Sequence, residues 1–513
     1  MAATDGSIAA YAVESAPGVL PATSPFNIIP FESIEPTSVR NYQDPNEARD
    51  DFFDIEEDLV SRDASLAYRR VFRGYVNDIF MQMALFGRFT QLPYRINAYG
   101  GGAQEISAVD SGTSTFTLVD PGTPRLDFAP SFLVFASGFT NRQNNGLFLA
   151  TTGTNGTSLI ITGATLVTET PPAGARLQAV GYQFAAGDLA ITGNTLESTA
   201  NIDLAALFGI GPGYWVKIGG AADATRFGAG GATIAVTNDA ARIGSIPTAG
   251  TLDLDLRPAG WANDAGAGKT IRLFFSEPCR PANEKQTIAW LHKIRRAADF
   301  KRKILRGLFA ERFTIDGAAR DYFRLAIDFK GLDFEEDIAD PIAQAGGPVR
   351  ETSLEAAMVT GFAGQRIYVD GTFSLKTAAV RTSSLVFEPT LVNIDVEGFF
   401  GYCDMDRSVQ RVRLTGEAHF QTDVLYAEYQ NATKKNFVRI MPAGNRAYVM
   451  DMKRFQLTVA RENLPGRGQP VTLNFEGKAT ADDAGIALGQ FNNFFACHRF
   501  NYAEGWPNLA VYA

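Results

Sequence analysis

Two segments of the chain alternate charged and apolar residues and then change to helical spacing. Residues 64–74 form the first alternating run and lead into a predicted helix over 75–87. Residues 410–420 form the second and lead into a predicted helix over 421–437. Apolar residues recur at helical spacing in both predicted helices, namely Val76, Ile79, Phe80, Met83 and Phe86 in the first and Val424, Leu425 and Tyr429 in the second. The pattern predicts a β-rich chain with one helix per half, duplicated, a plan typical of ring-forming proteins.

The segment 101–274 is poor in charged residues and rich in Gly, Ala and Thr. Short apolar runs separated by Gly/Asn turns repeat twice in it, which predicts two small β modules, 101–182 and 183–275. We interpret them as insertions into a host domain. This gives a first host part at 1–100, a basic segment and return to the host domain at 276–350, and a second host-like half with a C-terminal tail at 351–513.

Two charged stretches flank these modules. Basic and apolar residues alternate over 283–311, which favours an amphipathic helix or a strand-helix hybrid. Its basic side is either simply solvated or an interface that meets acidic loops of a neighbouring subunit, with candidates Arg295, Arg296, Lys301 and Arg302. The acidic stretch 44–63 is a solvated loop, a structural cation site, or an extended hairpin that reaches an adjacent ring or a pore, with candidates Asp50, Asp51, Asp54, Glu56 and Glu57. Further on, Ile367 to Leu375 and Tyr448 to Leu457 alternate as half-buried strands do.

The sequence offers little catalytic chemistry. Three cysteines and three histidines in 513 residues form no metal-binding spacing, so we expect neither metal nor cofactor. The Gly-rich run 263–270 lacks the first glycine of a phosphate-binding loop and precedes a predicted strand, so we expect no nucleotide site there. A net charge of −9 argues against tight nucleic-acid binding. With no signal peptide and no membrane-spanning run, we expect a soluble protein made in the cytosol.

Both ends of the chain resemble a known family. The opening VESAPGVLPATSPF (13–26), EARDD (47–51) and the strand-helix unit at 64–87 resemble the start of a tail tube protein of long-tailed phages. The segments NFVRIMP, AYVMDMKRFQLTVAREN and VTLNFEGKAT (471–480) are similar to that family's C-terminal half. The resemblance covers roughly 1–100 and 312–480, and the family often carries small β modules on its outside.

The resemblance implies a mainly β, tail-tube-type sandwich or barrel fold in which two roughly orthogonal sheets are flanked by a helix. Neighbouring subunits would join their inner sheets into a ring, and stacked rings would form a channel for DNA in the virion. The implied partners are further copies of the chain, a tape measure protein, and terminator or baseplate proteins, with DNA passing without specific binding. A duplicated tube fold would need three chains per ring, and a single one would need six. Candidate lumen-lining residues are Asp328, Asp370, Glu388, Asp395, Glu397 and Glu417.

Two other function classes compete with the structural tube protein. A tail fibre or decoration protein would bind host surface glycans through the modules at 101–274. A glycan-degrading enzyme would need two carboxylates beside an aromatic cleft, for which Glu388, Asp395 and Glu397 are the available residues.

Overall fold

The structure is a computed structural model. It describes residues 7–20, 26–43, 57–74, 77–98, 103–120, 122, 125–163, 165–228, 234–258, 260–296, 299–336, 349–350, 358, 366–369, 373–374, 380–397, 400–419, 429–432, 434–464, 471–481 and 494–507. The protein is mainly β, with 57% of residues in strands and 6% helical. This confirms the predicted fold class at that level.

The elements fall into three groups along the chain. The first holds β1 (Ile8–Val13), β2 (Asn27–Ile28), β3 (Ser33–Gln43), β4 (Asp58–Val71) and α1 (Asp78–Leu85). The second holds β5 (Tyr94–Ile96), β6 (Ile106–Asp110), β7 (Thr115–Leu118), β8 (Phe132–Ser137), β9 (Gly146–Ala150), β10 (Ser158–Thr162), β11 (Arg176–Gln183), β12 (Leu189–Thr192), β13 (Thr195–Ser198), α2 (Leu204–Phe208), β14 (Trp215–Ile218), β15 (Ala240–Ser245), β16 (Thr251–Leu256) and β17 (Arg272–Phe275). The third holds β18 (Glu277–Cys279), β19 (Ile288–Arg296), β20 (Asp299–Ala318), β21 (Arg324–Gly331), β22 (Asp333–Glu336), β23 (Val349–Arg350), β24 (Arg366–Val369), β25 (Phe373–Ser374), β26 (Val380–Ile394), β27 (Asp404–His419), β28 (Lys434–Ala443), β29 (Arg446–Asn463), β30 (Thr472–Ala479) and β31 (Ala496–Phe500).

The first and third groups form one large sheet. Its central run is β3–β4–β21–β20–β26–β27–β30–β29, antiparallel throughout. Beyond β29 the sheet continues through β28 to β24, and β31 pairs with both β29 and β18. The first half of the long strand β20 pairs instead with β19 and β22, so that β20 serves two parts of the sheet.

The second group forms a separate sheet from β5 to β17. The boundary predicted at 182/183 lies within β11, which pairs with β8 on one side and with β17 on the other. Residues from both predicted modules, such as Phe132, Leu177, Val216 and Phe275, share one apolar cluster. The smaller sheet therefore has a core of its own, distinct from that of the larger sheet.

Helix α1 fills the core of the larger sheet. The prediction of a helix here is confirmed, and its buried residues extend beyond the apolar positions at helical spacing. Asp78 is buried together with Phe80, Met81, Met83 and Leu85, because strands cover the helix on nearly every side. Its C-terminus is Phe86, whose left-handed conformation (φ 50°) ends the helix.

The two sheets are docked by a buried ion pair and an apolar cluster. Arg242 on β15 donates from Nη1 to Asp451 on β29 at 2.9 Å, and Trp215 Nε1 donates to the same carboxylate at 2.9 Å. Arg242 also makes a two-pronged contact with Asp255 at 2.9 Å for each pair of atoms. Burial alone would lower the pKa of Arg242, but the two carboxylates outweigh it and raise the pKa. A buried pair of this kind fixes the relative position of two elements because separating it exposes an uncompensated charge.

The C-terminal segment adds to this docking. Glu504 accepts from Arg272 on β17 at 2.6 Å, and the carbonyl of Gly505 accepts from Lys217 on β14 at 2.7 Å. Trp506 packs edge-on against Phe500 with ring centroids 5.8 Å apart. The tail beyond β31 thus contacts both sheets.

A second buried network centres on Glu277, which has no solvent exposure. Its carboxylate accepts from Arg499 Nε at 2.8 Å, Asn501 Nδ2 at 2.7 Å and the Leu92 backbone N–H at 2.8 Å, and also from Gln178. Arg499 in turn contacts Asp78 at the first turn of α1. One carboxylate therefore links the helix, the smaller sheet and the C-terminal strand.

Three further sequence predictions differ from the structure. The basic segment 283–311 is neither helix nor hybrid, since β19 and β20 form an antiparallel hairpin. Trp290 and Leu305 face the main core while Leu291 and Ile304 face a second cluster. Because a strand buried on both faces carries a nearly continuous apolar run, the alternation expected of a strand is lost.

The same effect explains β29. Tyr448 to Leu457 was predicted to be half-buried, but Ala447 to Met452 are buried on both faces of the strand, since the smaller sheet packs against one of these faces.

The second predicted helix cannot extend to residue 437, because β28 begins at Lys434. Most of its remaining length, 421–428, lies outside the described residues.

We expect Glu277→Gln to lower the free energy of unfolding by about 3–5 kcal/mol, because it leaves the buried Arg499 without one of its two carboxylates. Urea unfolding measures the change. The matched control is Glu284→Gln, which removes an exposed ion pair with Arg88 and should cost less than about 1 kcal/mol. Equal effects for the two variants would contradict the role of the Glu277 network.

His498 should make the fold acid-sensitive. It is fully buried, with Nδ1 3.2 Å from Ser276 Oγ, and burial, aided by Arg280 and Arg242, lowers its pKa well below the ordinary 6.5. Above pH 6.5 the His498 imidazole is neutral in both the folded and the unfolded protein, and the free energy of unfolding has its full value. Below it only the unfolded state gains a proton, so stability should fall by about 1.4 kcal/mol per pH unit.

The variant His498→Asn should have a flatter dependence of unfolding free energy on pH between 6.5 and 5. His419→Asn on β27 keeps His498 and serves as the control. The same slope in wild type and His498→Asn would show that His498 does not cause the acid sensitivity.

Candidate functional site: the polar face of the larger sheet

The central strands of the larger sheet bury one face and expose the other. Phe313 on β20, Ile327 on β21 and Phe387 on β26 lie in register on the buried face, where the Phe313 and Phe387 rings meet edge-on with centroids 5.5 Å apart. Because side chains alternate along a strand, the residues between them point to the other side. We call that side the polar face, defined by Asp328, Arg312, Glu388, Arg411, Arg413 and Glu417.

Charges of opposite sign alternate across this face. Asp328 on β21 lies opposite Arg312 on β20, and Arg312 Nε is 3.7 Å from Glu388 on β26. Glu388 lies opposite Arg411 on β27 and is 3.9 Å from Arg413. Opposite charges on facing residues stabilise a strand pair modestly, so this row holds its side chains in a nearly neutral arrangement.

The candidate acidic residues separate into three groups. Asp328, Glu388 and Glu417 share the polar face, with Glu417 3.5 Å from Arg381. Asp395 and Glu397 instead follow the end of β26 and are exposed, and Asp395 contributes with burial and Asp63 to raising the pKa of Tyr402. Asp370 lies outside the described residues.

The candidate basic residues lie at the tip of the β19–β20 hairpin. Arg295 is exposed, Lys301 lies 3.8 Å from Glu336 on β22, and Arg302 pairs in register with Lys293. Arg296 belongs to β19, and its side chain lies outside the described residues. Among the acidic candidates, Glu57 is exposed just before β4, while Asp50, Asp51, Asp54 and Glu56 also lie outside them.

Two hairpins extend beyond the main core and expose apolar side chains. The β3–β4 hairpin exposes Val39, Tyr42 and Val60. The β26–β27 hairpin exposes Val392, Ile394, Val396 and Phe400. The hairpins touch each other where the Arg62 backbone N–H donates to the Phe400 carbonyl at 2.6 Å. Exposed apolar groups concentrated on neighbouring hairpins are typical of an interaction surface.

Strand β3 is an edge strand of the larger sheet, and we call each such edge of the sheet a margin. Within the described part of the chain it pairs only with β4, over eleven residues. The margin at the other end of the sheet is formed by the short strands β24 and β25. A long strand with one unpaired side is a site for pairing with another chain.

Comparison with protein-family models and with curated proteins finds no match for this chain. None of the helices in the described residues is long and apolar enough to span a membrane. The described residues also contain no cluster of three or more His, Cys, Asp or Glu side chains suited to a metal ion. Within the described residues, the polar face thus consists of acidic and basic side chains that face each other on neighbouring strands.

The arginines of the polar face were not predicted as site residues. Arg312, Arg411 and Arg413 occupy alternate strand positions in the sequence, as Asp328 and Glu388 do. The period of two was available as a signal, but which residues face each other depends on strand order and register.

Proposed function

We propose that this protein is the structural subunit of a phage tail tube, which assembles into stacked rings around a DNA-conducting channel. The observation that carries the proposal is the long sheet with a polar face on one side, a core on the other, and two different edge strands, β3 and β25, each paired on one side only within the described residues. Joining β3 of one copy to the opposite margin of the next is a head-to-tail contact, which closes into a ring when the rotation allows it. Such closure removes the exposed sheet margins.

The polar face is the proposed channel wall. Its acidic residues are interleaved with arginines, so we propose a wall that is nearly neutral rather than strongly negative. DNA binding draws its affinity from cations that neutralise phosphates and release counterions. A wall whose arginines are already paired with carboxylates has few such cations to offer, so DNA can slide along it.

The direct test is electron microscopy of the concentrated, purified protein, with the mass per ring measured by scanning transmission microscopy. We expect hollow tubes or stacked rings. Three chains per ring would indicate a duplicated tube fold in each chain, and six a single one. Monodisperse monomers under all conditions would reject the proposal and favour the glycan-binding alternative.

Val39→Lys should abolish tube formation while leaving the subunit folded. Val39 is exposed on β3 and lies opposite Asp63, so a lysine there is tolerated within the subunit but places a charge on the margin that must pair. Val119→Lys, at a position of similar exposure (42% against 43%) just after β7, is the matched control. Tubes of normal length formed by Val39→Lys would exclude β3 from the contact between subunits.

Neutralising the acidic residues of the polar face should slow DNA release. In the variant Asp328→Asn/Glu388→Gln/Glu417→Gln the arginines lose their paired charges and become available to DNA phosphates. We expect normal assembly but slower DNA ejection from particles built with the variant, measured by fluorescence of released DNA. The control Asp120→Asn/Glu197→Gln/Asp203→Asn changes three exposed carboxyl groups between β7 and α2. Unchanged ejection in the first variant would contradict the assignment of the channel wall.

A further inference from the structure

Cys279 and Cys497 lie directly opposite each other on two paired strands. Cys279 is the last residue of β18 and Cys497 the second of β31, and the antiparallel register pairs the two positions. Two positions along, Glu277 pairs with Arg499, so the cysteines adjoin the buried network that links the two sheets. Facing residues of an antiparallel pair have Cα atoms about 4.5–5.5 Å apart. That separation lies within the range of about 4.4–6.8 Å that a disulfide spans.

The two thiols point to the same side of the strand pair. Both are fully buried, and both belong to the apolar cluster of the larger sheet. His498, next to Cys497 in β31, turns instead toward Ser276, as alternation along a strand requires. Cys497 Sγ also contacts the Met81 sulfur of α1 at 3.1 Å. A bond between the two cysteine sulfurs therefore needs no change in the direction that either strand faces.

Burial protects whichever redox state the pair has when the core closes over it. Burial raises the pKa of both thiols, and for Cys497 the neighbouring Cys279 adds to the rise. Because only the thiolate attacks a disulfide, the thiols of the folded protein react slowly with an oxidant. A disulfide at the same place is shielded from reducing agents in the same way. The redox state is thus set during folding, before the core covers the pair.

We propose that Cys279 and Cys497 form a cross-strand disulfide when the chain folds in the presence of a small disulfide oxidant such as oxidised glutathione. One cysteine thiolate attacks the glutathione disulfide and releases one reduced glutathione. The second thiolate attacks the resulting mixed disulfide, forms the protein disulfide and releases the second reduced glutathione. Two protein thiols are oxidised, one glutathione disulfide is reduced, and the two thiol protons end on the released glutathione. The pairing does not depend on assembly of the chain into rings.

The third cysteine allows this pairing to be distinguished from chance. Cys403 lies between the other two in the sequence and is only partly buried, just before β27. An unfolded chain favours the shorter loops, which Cys403 closes with either partner, because loop closure costs more entropy as the loop lengthens. Predominance of the pair Cys279–Cys497, which closes the longest of the three loops, therefore reports the register of the folded strands.

The experiment refolds the reduced chain from urea, either in a mixture of oxidised and reduced glutathione or in reduced glutathione alone. Remaining thiols are alkylated under denaturing conditions, and linked peptides are identified by mass spectrometry. In the oxidising mixture wild type should lose two of its three thiols. The linked peptide Cys279–Cys497 should exceed either other pairing at least about ten-fold.

Three variants separate the proposed pair from the third cysteine. The matched control Cys403→Ala should form the cross-link as wild type does, whereas Cys279→Ala and Cys497→Ala remove it. Oxidised wild type and oxidised Cys403→Ala should melt about 2–5 °C above their reduced forms, because a disulfide that closes a long loop restricts the unfolded chain. Cys279→Ala and Cys497→Ala should melt at the same temperature after refolding in either buffer.

If the chain does not refold from urea, the folded protein is incubated with oxidised glutathione at urea concentrations below its unfolding transition. Local opening of β18 and β31 should then let the same linked peptide accumulate at least about ten-fold faster than without urea. The proposal is overturned if Cys279 and Cys497 remain thiols or carry only glutathione in every oxidising condition. Predominance of pairings with Cys403, or a cross-linked protein that melts below the reduced one, would overturn it equally.

Discussion

The carboxylate of Glu277 is the interaction on which the relative placement of the elements depends. It accepts hydrogen bonds from the smaller sheet through Gln178, from the C-terminal strand through Arg499, and from Asn501 just beyond it. Arg499 carries the network on to Asp78 in α1. Separating any of these elements would leave a buried charge uncompensated, which is strongly destabilising.

The docking of the smaller sheet determines which surfaces of the larger sheet stay exposed. It covers β28 and β29 from one side, through Trp215 and Phe274 packed with Val438 and Val449. It leaves uncovered the polar face formed by β21, β20, β26 and β27. The Arg242–Asp451 contact holds that arrangement in place. The uncovered surfaces, the polar face, the β3 margin and the two hairpins, are therefore available together on one body.

The sequence predicted local features well and non-local ones poorly. The mainly β content and helix α1 are confirmed, because period-two and helical spacing are properties of neighbouring residues. The basic segment was predicted as an amphipathic helix or a strand-helix hybrid, and β29 as a half-buried strand, because strands such as β19 that pack on both faces lose the alternation. On the polar face, too, the features set by neighbouring residues were predicted and those set by strands distant in sequence were not. Its acidic residues were visible at alternate positions, while the opposition of Arg312 to both Asp328 and Glu388 depends on three strands distant in sequence.

Mixed charge on the polar face changes the physical argument for a channel. A strongly negative wall repels DNA at every point, and its field must be overcome as DNA enters. A wall in which Glu388 lies within 4 Å of Arg312 and Arg413 has short-range fields that largely cancel beyond the Debye length of about 8 Å at physiological salt. Exposed pairs of this kind contribute little to folding. Under the proposed function, their regular alternation across β21, β20, β26 and β27 would serve a surface that must avoid lasting attachment to a polyanion rather than the stability of the subunit.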